Sequence, residues 1–206
     1  MQMNVLLING SPHENGCTYT ALSEVAKTLE KNGVRTRIYH IGKKAVHGCI
    51  ACGVCQTKGR CAFDDDPANE MRSLMQKADG IVIGSPVYYA GPNGALCALL
   101  DRVFFADQGE LAFKPAAAVV SARRGGTTAA FDRLNKYFTM NRMPIVSSQY
   151  WNSVHGFTPA DVLQDKEGLQ TMRTLAYNMA WMLKSIENGA QPLPEIEPWT
   201  PTHFIR

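Results

Sequence analysis

Short runs of apolar residues recur along the chain, and each one ends in small or polar residues that can stop a strand. Residues 4–9 and 80–84 are apolar almost throughout, a pattern typical of strands buried on both faces of a parallel sheet. Residues 34–41 alternate between apolar and polar side chains, which indicates a strand at or near a sheet edge. Further apolar runs at residues 115–121 and 144–148 predict a fourth and a fifth strand.

Apolar residues at helical spacing fill the intervals between these strands. In the first interval, Leu22, Val25 and Leu29 recur at positions that share one face of a helix. Thr127 or Thr128 is expected to cap the helix that follows the fourth strand. The predicted helices cover residues 18–32, 67–78, 93–107, 127–141 and 166–188.

Strands that alternate with helices predict an α/β protein with a doubly wound parallel sheet. Because crossovers between parallel strands are right-handed and no sixth strand is indicated, the five strands favour the order 2-1-3-4-5. Residues 1–190 are predicted to form one domain, which includes an irregular cysteine-rich loop at residues 48–61. Residues 191–206 form a proline-rich tail that cannot be helical and is expected to wrap a partner subunit.

Composition and charge exclude several classes of protein. The chain has 206 residues, of which 45% are hydrophobic and 19% charged, so a compact fold is expected rather than disorder. The net charge of +3 is too small to indicate binding to nucleic acid or to an anionic membrane. No apolar run approaches the ~20 residues of a bilayer span, and no signal peptide is evident, so a cytoplasmic protein is expected.

Ligands of such sheets bind beyond the carboxyl ends of the strands, where the strand order reverses between the first and third strands. The loop at residues 10–18 combines small residues and hydroxyls with a predicted helix N-terminus, a combination that binds anions. It lacks the glycine and lysine spacing of nucleoside triphosphate and dinucleotide loops. A phosphate monoester held by Ser11, Thr18 and backbone amides is favoured, and a purely structural turn is the alternative.

Two further loops at the same edge fit a planar ring. Residues 85–94 are rich in aromatic and small residues, as the wall of a site for a flat ring requires. Residues 122–126 offer two arginines and two glycines, and glycines let a ligand approach the main chain. The three loops together predict a site for flavin mononucleotide (FMN). Residues 149–157 are expected either to cap the flavin or to form a packed connection.

Four segments of the sequence match a known family. They are Gly10-Ser11-Pro12 with residues 16–18, then residues 84–88, then the cysteines of residues 48–61 with three aspartates after them, and residues 178–184. On these segments the chain resembles the flavodoxin-like, NADPH-dependent FMN reductases and, within them, the iron–sulfur flavoproteins. The resemblance implies a flavodoxin-like three-layer sandwich, a non-covalent FMN, reduction by NADH or NADPH, and a homodimer or homotetramer.

The resemblance also implies which residues contact the cofactor. Ser11, Cys17 and Thr18 would contact the FMN phosphate, although most members have Asn at the position of Cys17, so one amide donor is missing. Residues 86–89 and 121–126 would contact the isoalloxazine ring. The full predicted cofactor set is Ser11, His13, Gly16, Cys17, Thr18, Pro86, Val87, Tyr88, Tyr89, Ser121, Ala122, Arg123, Arg124, Gly125 and Gly126.

The predicted activity is an FMN-dependent NAD(P)H oxidoreductase that passes electrons to a quinone, a nitro or azo compound, a flavin or a protein. Because the flavin carries the electron chemistry, no side chain is expected to be catalytic. Arg123 and Arg124 are candidates for stabilising the anionic reduced flavin near N1 and O2. The alternatives are an electron carrier with no dedicated small-molecule substrate, and a redox-sensing or binding module on the same fold.

Four of the six cysteines, Cys49, Cys52, Cys55 and Cys61, lie close together in the sequence. Two Cys-x-x-Cys steps in series can bring three thiolates around one centre, as in ferredoxins. By the resemblance, iron–sulfur flavoproteins tolerate the longer gap before the fourth cysteine, so these residues are candidate ligands of a 4Fe–4S cluster. A zinc ion held by four thiolates and a metal-free loop of reduced thiols are the alternatives.

Overall fold

The protein is described by a computed structural model that covers residues 2–189, 191–195, 197, 198, 200 and 202. A parallel sheet forms its middle layer. The strands are β1 (Asn4–Asn9), β2 (Arg35–His40), β3 (Gly80–Tyr88), β4 (Gly91–Pro92), β5 (Ala116–Ala122) and β6 (Ser153–His155). The order along the sheet is β2-β1-β3-β5-β6, and β4 pairs antiparallel with the end of β3. If only the parallel strands are counted, this is the predicted order 2-1-3-4-5.

Helices cover both faces of the sheet. They are α1 (Cys17–Lys31), α2 (Val54–Lys58), α3 (Ala68–Lys77), α4 (Gly94–Phe105), α5 (Thr127–Met140), α6 (Pro159–Val162) and α7 (Lys166–Gly189). Alternate residues of β1 enter different cores, since Val5 and Leu7 pack with α1 and α7, whereas Leu6 and Ile8 pack with α3, α4 and α5. In the described part of the chain, no helix is long and apolar enough to cross a membrane.

The predicted fifth strand at residues 144–148 is wrong. Ile145 forms only an isolated bridge to Ala116, and the strand that completes the sheet is β6. The chain turns away because the Ser148 hydroxyl donates locally to Asn152 Oδ1 (2.7 Å). The buried Asn152 amide then donates to Ala118 O (3.0 Å) and brings the chain back to β5. Polar side-chain pairing therefore displaces the last strand toward the C-terminus.

Other boundaries differ by less. The third strand runs on to Tyr88, because Pro86 still pairs with β5 and Tyr88 pairs with β4. Neither predicted threonine caps α5, whose cap residue is Gly126 in a left-handed conformation. The short helices α2 and α6 were not predicted. The described part of the proline-rich tail forms no helix or strand. The rest of the tail lies outside the described residues. The division of the chain into a domain and a tail stays a prediction.

Candidate functional site

A cleft of about 800 Å³ opens at the carboxyl ends of β1, β3 and β5. The predicted cofactor residues that line this cleft are Ser11, His13, Gly16, Cys17, Thr18, Pro86, Val87, Tyr88, Ser121, Ala122 and Arg123. The structure places Tyr89, Arg124, Gly125 and Gly126 outside its lining. The three loops expected from the sequence therefore meet at one site, and most of the predicted residues face it.

Side chains at the end of β1 hold the first loop. The buried Asn9 amide donates to Glu14 O (3.0 Å), and its oxygen accepts from the Ser11 backbone N–H (3.1 Å). Ser11 Oγ in turn accepts from the His13 N–H (3.1 Å), and His40 Nε2 lies 2.8 Å from Ser11 O. The loop is thus tied to β1 and β2, and the Ser11 hydroxyl hydrogen stays available to a ligand.

The N-terminus of α1 opens into the cleft. Its cap residue Gly16 offers no side-chain acceptor, so the amides of the first turn lack the usual capping partner. Unpaired amides and the positive end of a helix of this length fit a phosphate group. The buried Thr18 hydroxyl lies 2.8 Å from Ser121 Oγ and links the first loop to the end of β5.

Cys17 lies in the first turn of α1, with Sγ 3.7 Å from Gly156 O. Burial raises the pKa of the Cys17 thiol above its ordinary value of 9.0, and the nearby Asp161 carboxylate acts in the same direction. The thiol is therefore protonated at neutral pH. This state suits the predicted contact of Cys17 with the FMN phosphate better than a nucleophilic role.

The second and third loops pack against each other. Tyr89 and Ala90 adopt left-handed conformations where the chain turns from β3 into β4. Gly126 faces this turn, and a Cβ atom at Gly126 would lie 2.9 Å from Ala90 Cα and 3.0 Å from Val87 Cγ1. Gly126 therefore acts as a spacer between two walls of the cleft, although it does not line the cleft itself.

Several lining residues were not in the predicted set. They are Glu14, Asn15, Lys43, Gly156, Phe157, Thr158 and Pro159. The last four follow β6, and Gly156 O lies 3.7 Å from Cys17 Sγ at the start of α1. The sequence indicated Gly156 and Phe157 in part, because residues 149–157, after the predicted fifth strand, were expected either to cap the flavin or to form a packed connection. Lys43 comes from an irregular stretch with no local pattern, and with Arg123 it gives the cleft two cationic side chains.

The cysteine-rich loop forms a second, smaller concavity. Its lining comprises Cys49, Ile50, Ala51, Cys52, Gly53, Cys55, Cys61, Ala62, Phe63, Arg102 and Phe105. All four predicted metal ligands thus face one space and are free thiols. Asn69 fixes the last of them, since its oxygen accepts from the Cys61 N–H (2.8 Å) and its amide donates to Cys61 O (3.1 Å).

The spacing of the sulfur atoms bears on the choice of metal. Tetrahedral zinc with Zn–S bonds of about 2.3 Å requires sulfurs roughly 3.8 Å apart. Among the described residues, no three of these cysteine sulfurs lie within 4.8 Å of one another. The group that does meet this limit is His47, Asp65 and Asp66, beside the loop. Within the described part of the structure, the sulfurs thus form no preassembled tetrahedral site for zinc.

The cysteine-rich loop also docks on the C-terminal end of α4. Gln56 Nε2 donates to Phe105 O (3.1 Å), and Gln108 Nε2 donates to Gln56 O (3.4 Å).

Asp66 lies just after the cysteine-rich loop. Burial by itself would raise the pKa of its carboxyl, but hydrogen bonds from Arg102, His47 and Ala68 outweigh burial and hold that pKa below its ordinary value. Asp66 is therefore ionised at neutral pH.

A parallel sheet of this order, with an uncapped helix N-terminus and an aromatic loop at its ligand edge, defines a flavodoxin-like protein. A flavodoxin-like WrbA-like protein from Agrobacterium tumefaciens has the same fold, with a TM-score of 0.62. It is 14% identical, and the match covers 90% of this chain and 99% of that one.

The chain belongs to the family of NADPH-dependent FMN reductases, which its residues 3–158 match. It is 30% identical to an iron–sulfur flavoprotein of Methanocaldococcus jannaschii over 195 residues, 90% of this chain and 100% of the relative. It is 26% identical to an iron–sulfur flavoprotein of Methanosarcina thermophila over 191 residues, 91% of this chain and 98% of the relative. The family supports an FMN-dependent oxidoreductase.

Proposed function

We propose that the chain binds FMN in the cleft, oxidises NADH or NADPH, and passes the electrons to a quinone, a nitro or azo compound, a flavin or a protein. The observation that carries this proposal is the uncapped N-terminus of α1, which faces a cleft walled by the ends of β3 and β5. When bound, FMN would supply the hydride and electron chemistry.

The chain's own residues would bind and orient the cofactor. The first-turn amides of α1 and the Ser11 hydroxyl would hold the phosphate without a full positive charge. The segment from Pro86 to Tyr88 would form one wall against the ring, and Arg123 would place a positive charge at the cleft. Phe157, which lines the cleft after β6, is exposed and would limit the access of water.

Flavin uptake and turnover test this function directly. Protein stripped of flavin should take up FMN at micromolar concentrations and quench its fluorescence. The loaded protein should then consume NADH or NADPH when a quinone, a nitro compound or free flavin is supplied. Failure to bind FMN would overturn the proposal and favour the binding-module alternative.

The proposal includes a 4Fe–4S cluster held by Cys49, Cys52, Cys55 and Cys61. Support comes from the shared concavity of these cysteines, from their spacing in the sequence, and from relatives named iron–sulfur flavoproteins. Iron and acid-labile sulfide should be present in protein purified without oxygen. Absence of both would reject the cluster without affecting the FMN proposal, and zinc alone would favour the structural-metal alternative.

An electron carrier is the second candidate function. The exposed position of Cys49 and Cys52 favours it, because a cluster bound there would lie close to solvent and to partner proteins. A carrier should accept electrons from dithionite at both centres and yet leave NADH and NADPH unconsumed. Steady consumption of either nucleotide by the FMN-loaded protein would reject the carrier.

The proposal also includes a homodimer or homotetramer. Four aromatic side chains, Tyr150, Trp151, Tyr177 and Trp181, are each at least half exposed. Asn178 Nδ2 donates to Ser147 O (2.8 Å), which joins the two segments that carry these side chains. An exposed aromatic surface of this kind is typical of an interface. Trp181→Glu should lower the mass measured by light scattering, whereas Met140→Glu on α5 should not.

A further inference from the structure

Arg102 of α4 is buried at the edge of the cysteine-rich loop. Its side chain is only 1% exposed, as is that of Asp66, with which it forms an ion pair. The guanidinium also donates to His47 O (3.1 Å) and to Phe63 O (3.5 Å), and it lies over the Phe63 ring at 5.2 Å. One side chain of α4 thus contacts several points of a segment with little regular structure.

One further contact of Arg102 reaches a predicted metal ligand. Arg102 Nε lies 3.1 Å from Cys61 Sγ and donates a hydrogen bond to it. Hydrogen bonds to ligand sulfurs are one of the means by which proteins set the reduction potentials of iron–sulfur clusters. An N–H donor stabilises negative charge on the sulfur, and therefore favours the reduced state of a centre bound there.

The charge of Arg102 is balanced inside the same pocket. Asp66 lies against the Nη1 atom, on the side of the guanidinium away from the Nε–H···Sγ bond. The pair is neutral as a whole, so what reaches Cys61 is chiefly a directed hydrogen bond. Removal of Arg102 would leave a buried anion, and removal of Asp66 would leave a buried cation. The two changes would therefore shift the charge of the pocket in opposite directions.

We propose that Arg102 is a positioning residue that raises the reduction potential of a cluster bound through Cys61, and that Asp66 limits this rise by neutralising the guanidinium. The inference rests on the proposed cluster. No bond forms or breaks at Arg102. Its Nε keeps its proton while one electron, supplied by dithionite in a titration, is added to the cluster.

Three variants separate this role from a merely structural one. Arg102→Met removes the donor and the positive charge, because methionine has a similar length and no N–H group. Asp66→Asn removes the neutralising carboxylate, and the double variant removes the donor but keeps the pocket neutral. Arg72→Met is the matched control. Arg72 is also paired with a carboxylate, Glu110 (2.5 Å), and its side chain is 15% exposed, but it does not line the cysteine concavity.

The experiment is a redox titration followed by electron paramagnetic resonance, with iron, sulfide and FMN measured in each sample. At a fixed potential, Arg102→Met should lower the ratio of reduced to oxidised cluster at least tenfold, which is 59 mV for one electron. Asp66→Asn should raise that ratio, the double variant should lower it by less than Arg102→Met, and Arg72→Met should leave it unchanged.

The possible failures are distinct. Equal potentials in all samples, or shifts of the same sign in Arg102→Met and Asp66→Asn, would overturn the inference and leave the cluster in place. Loss of iron from all three variants would assign the pair a structural role and overturn it as well. Absence of iron and sulfide from the unmodified protein would overturn both this inference and the proposed cluster, whatever its FMN content.

Discussion

The cleft and the cysteine-rich loop are built in different ways. The cleft lies where three parallel strands end, so the sheet itself brings residues such as Ser11, Val87 and Ser121 together. The loop between β2 and α3 contains five helical residues, and side-chain hydrogen bonds between the loop and the helices α3 and α4 hold it in place. Asn69, Gln56 and Arg102 make hydrogen bonds that a strand would make through its backbone.

This difference predicts different sensitivities. A site shaped by backbone geometry should tolerate many side-chain substitutions but not a change at a position with special backbone conformation, such as Gly126. A site held by side chains should fail when one of those side chains or a ligand is replaced. Each site should also survive damage to the other, because the backbone of the sheet and the anchors of the loop are separate structures.

The largest expected effect is that of Cys61→Ser. Loss of one of four ligands should remove nearly all iron and sulfide, because a serine hydroxyl is a poor substitute for a thiolate in an iron–sulfur site. FMN content should stay unchanged if the two sites are independent. Iron, sulfide and flavin analyses of anaerobically purified protein measure both. Cys97→Ser, on α4 outside the concavity, is the control and should keep both cofactors. Full iron content in Cys61→Ser would contradict the ligand assignment.

The next effect is that of Gly126→Ala, which is directed at the cleft. Gly126 has φ 91°, and a Cβ atom there would lie 2.9 Å from Ala90 Cα. The variant should lose about 1–3 kcal/mol in the free energy of unfolding and bind FMN about tenfold more weakly. Denaturant unfolding and a fluorescence titration of flavin-free protein measure these changes.

Gly125→Ala is the matched control for this substitution. A Cβ atom at Gly125 has no heavy atom within 4 Å, and its φ is not positive. It should therefore leave both stability and FMN affinity close to the starting values. Similar losses in the two variants would show that the contact between the second and third loops is not what shapes the cleft.

The sequence predicted what depends on local pattern. Apolar runs in the sequence indicated buried strands such as β1 and β5. The loops at the ends of these strands could be predicted to form the site, because ligands of such sheets bind at the carboxyl edge. The fifth strand was misplaced, because the apolar residues near Ile145 suggested a strand, while the polar pairing of Ser148 and Asn152 that diverts the chain has no apolar signature.

Contacts between side chains that lie far apart in the sequence could not be predicted. Arg102 lies 41 residues from Cys61, and Asn69 fixes the same cysteine from another helix. Nothing in the pattern around Arg102 distinguishes it from a solvent-exposed arginine at the end of an amphipathic helix. Only the packing of α4 against the loop shows that it is buried and paired with Asp66.

A smaller effect is expected from the two arginines of the third loop. Arg123 lines the cleft and Arg124 does not, although both are exposed. Arg123→Ala should lower the midpoint potential of bound FMN by about 5–20 mV, a shift appropriate to one solvent-exposed charge in a two-electron couple. Arg124→Ala should leave it unchanged. Equal shifts in the two variants, or none in Arg123→Ala, would remove Arg123 from the site.

The smallest effect concerns Asp107, just beyond the end of α4, where the cysteine-rich loop docks. Burial raises the pKa of its carboxyl above the ordinary 3.8, and Asp107 Oδ1 is buried without a hydrogen-bond partner among the described residues. The folded state therefore binds the proton more tightly than the unfolded state, so stability falls as the pH rises from 3.8 through the folded pKa. Asp107→Asn stays neutral and should gain stability relative to the unmodified protein over that rise, by less than about 1 kcal/mol at pH 7. Denaturant unfolding between pH 4 and pH 7 measures the difference in the free energy of unfolding, and FMN content should be unchanged. A stability advantage of Asp107→Asn that grows toward low pH would contradict the assigned cost of burying this carboxylate.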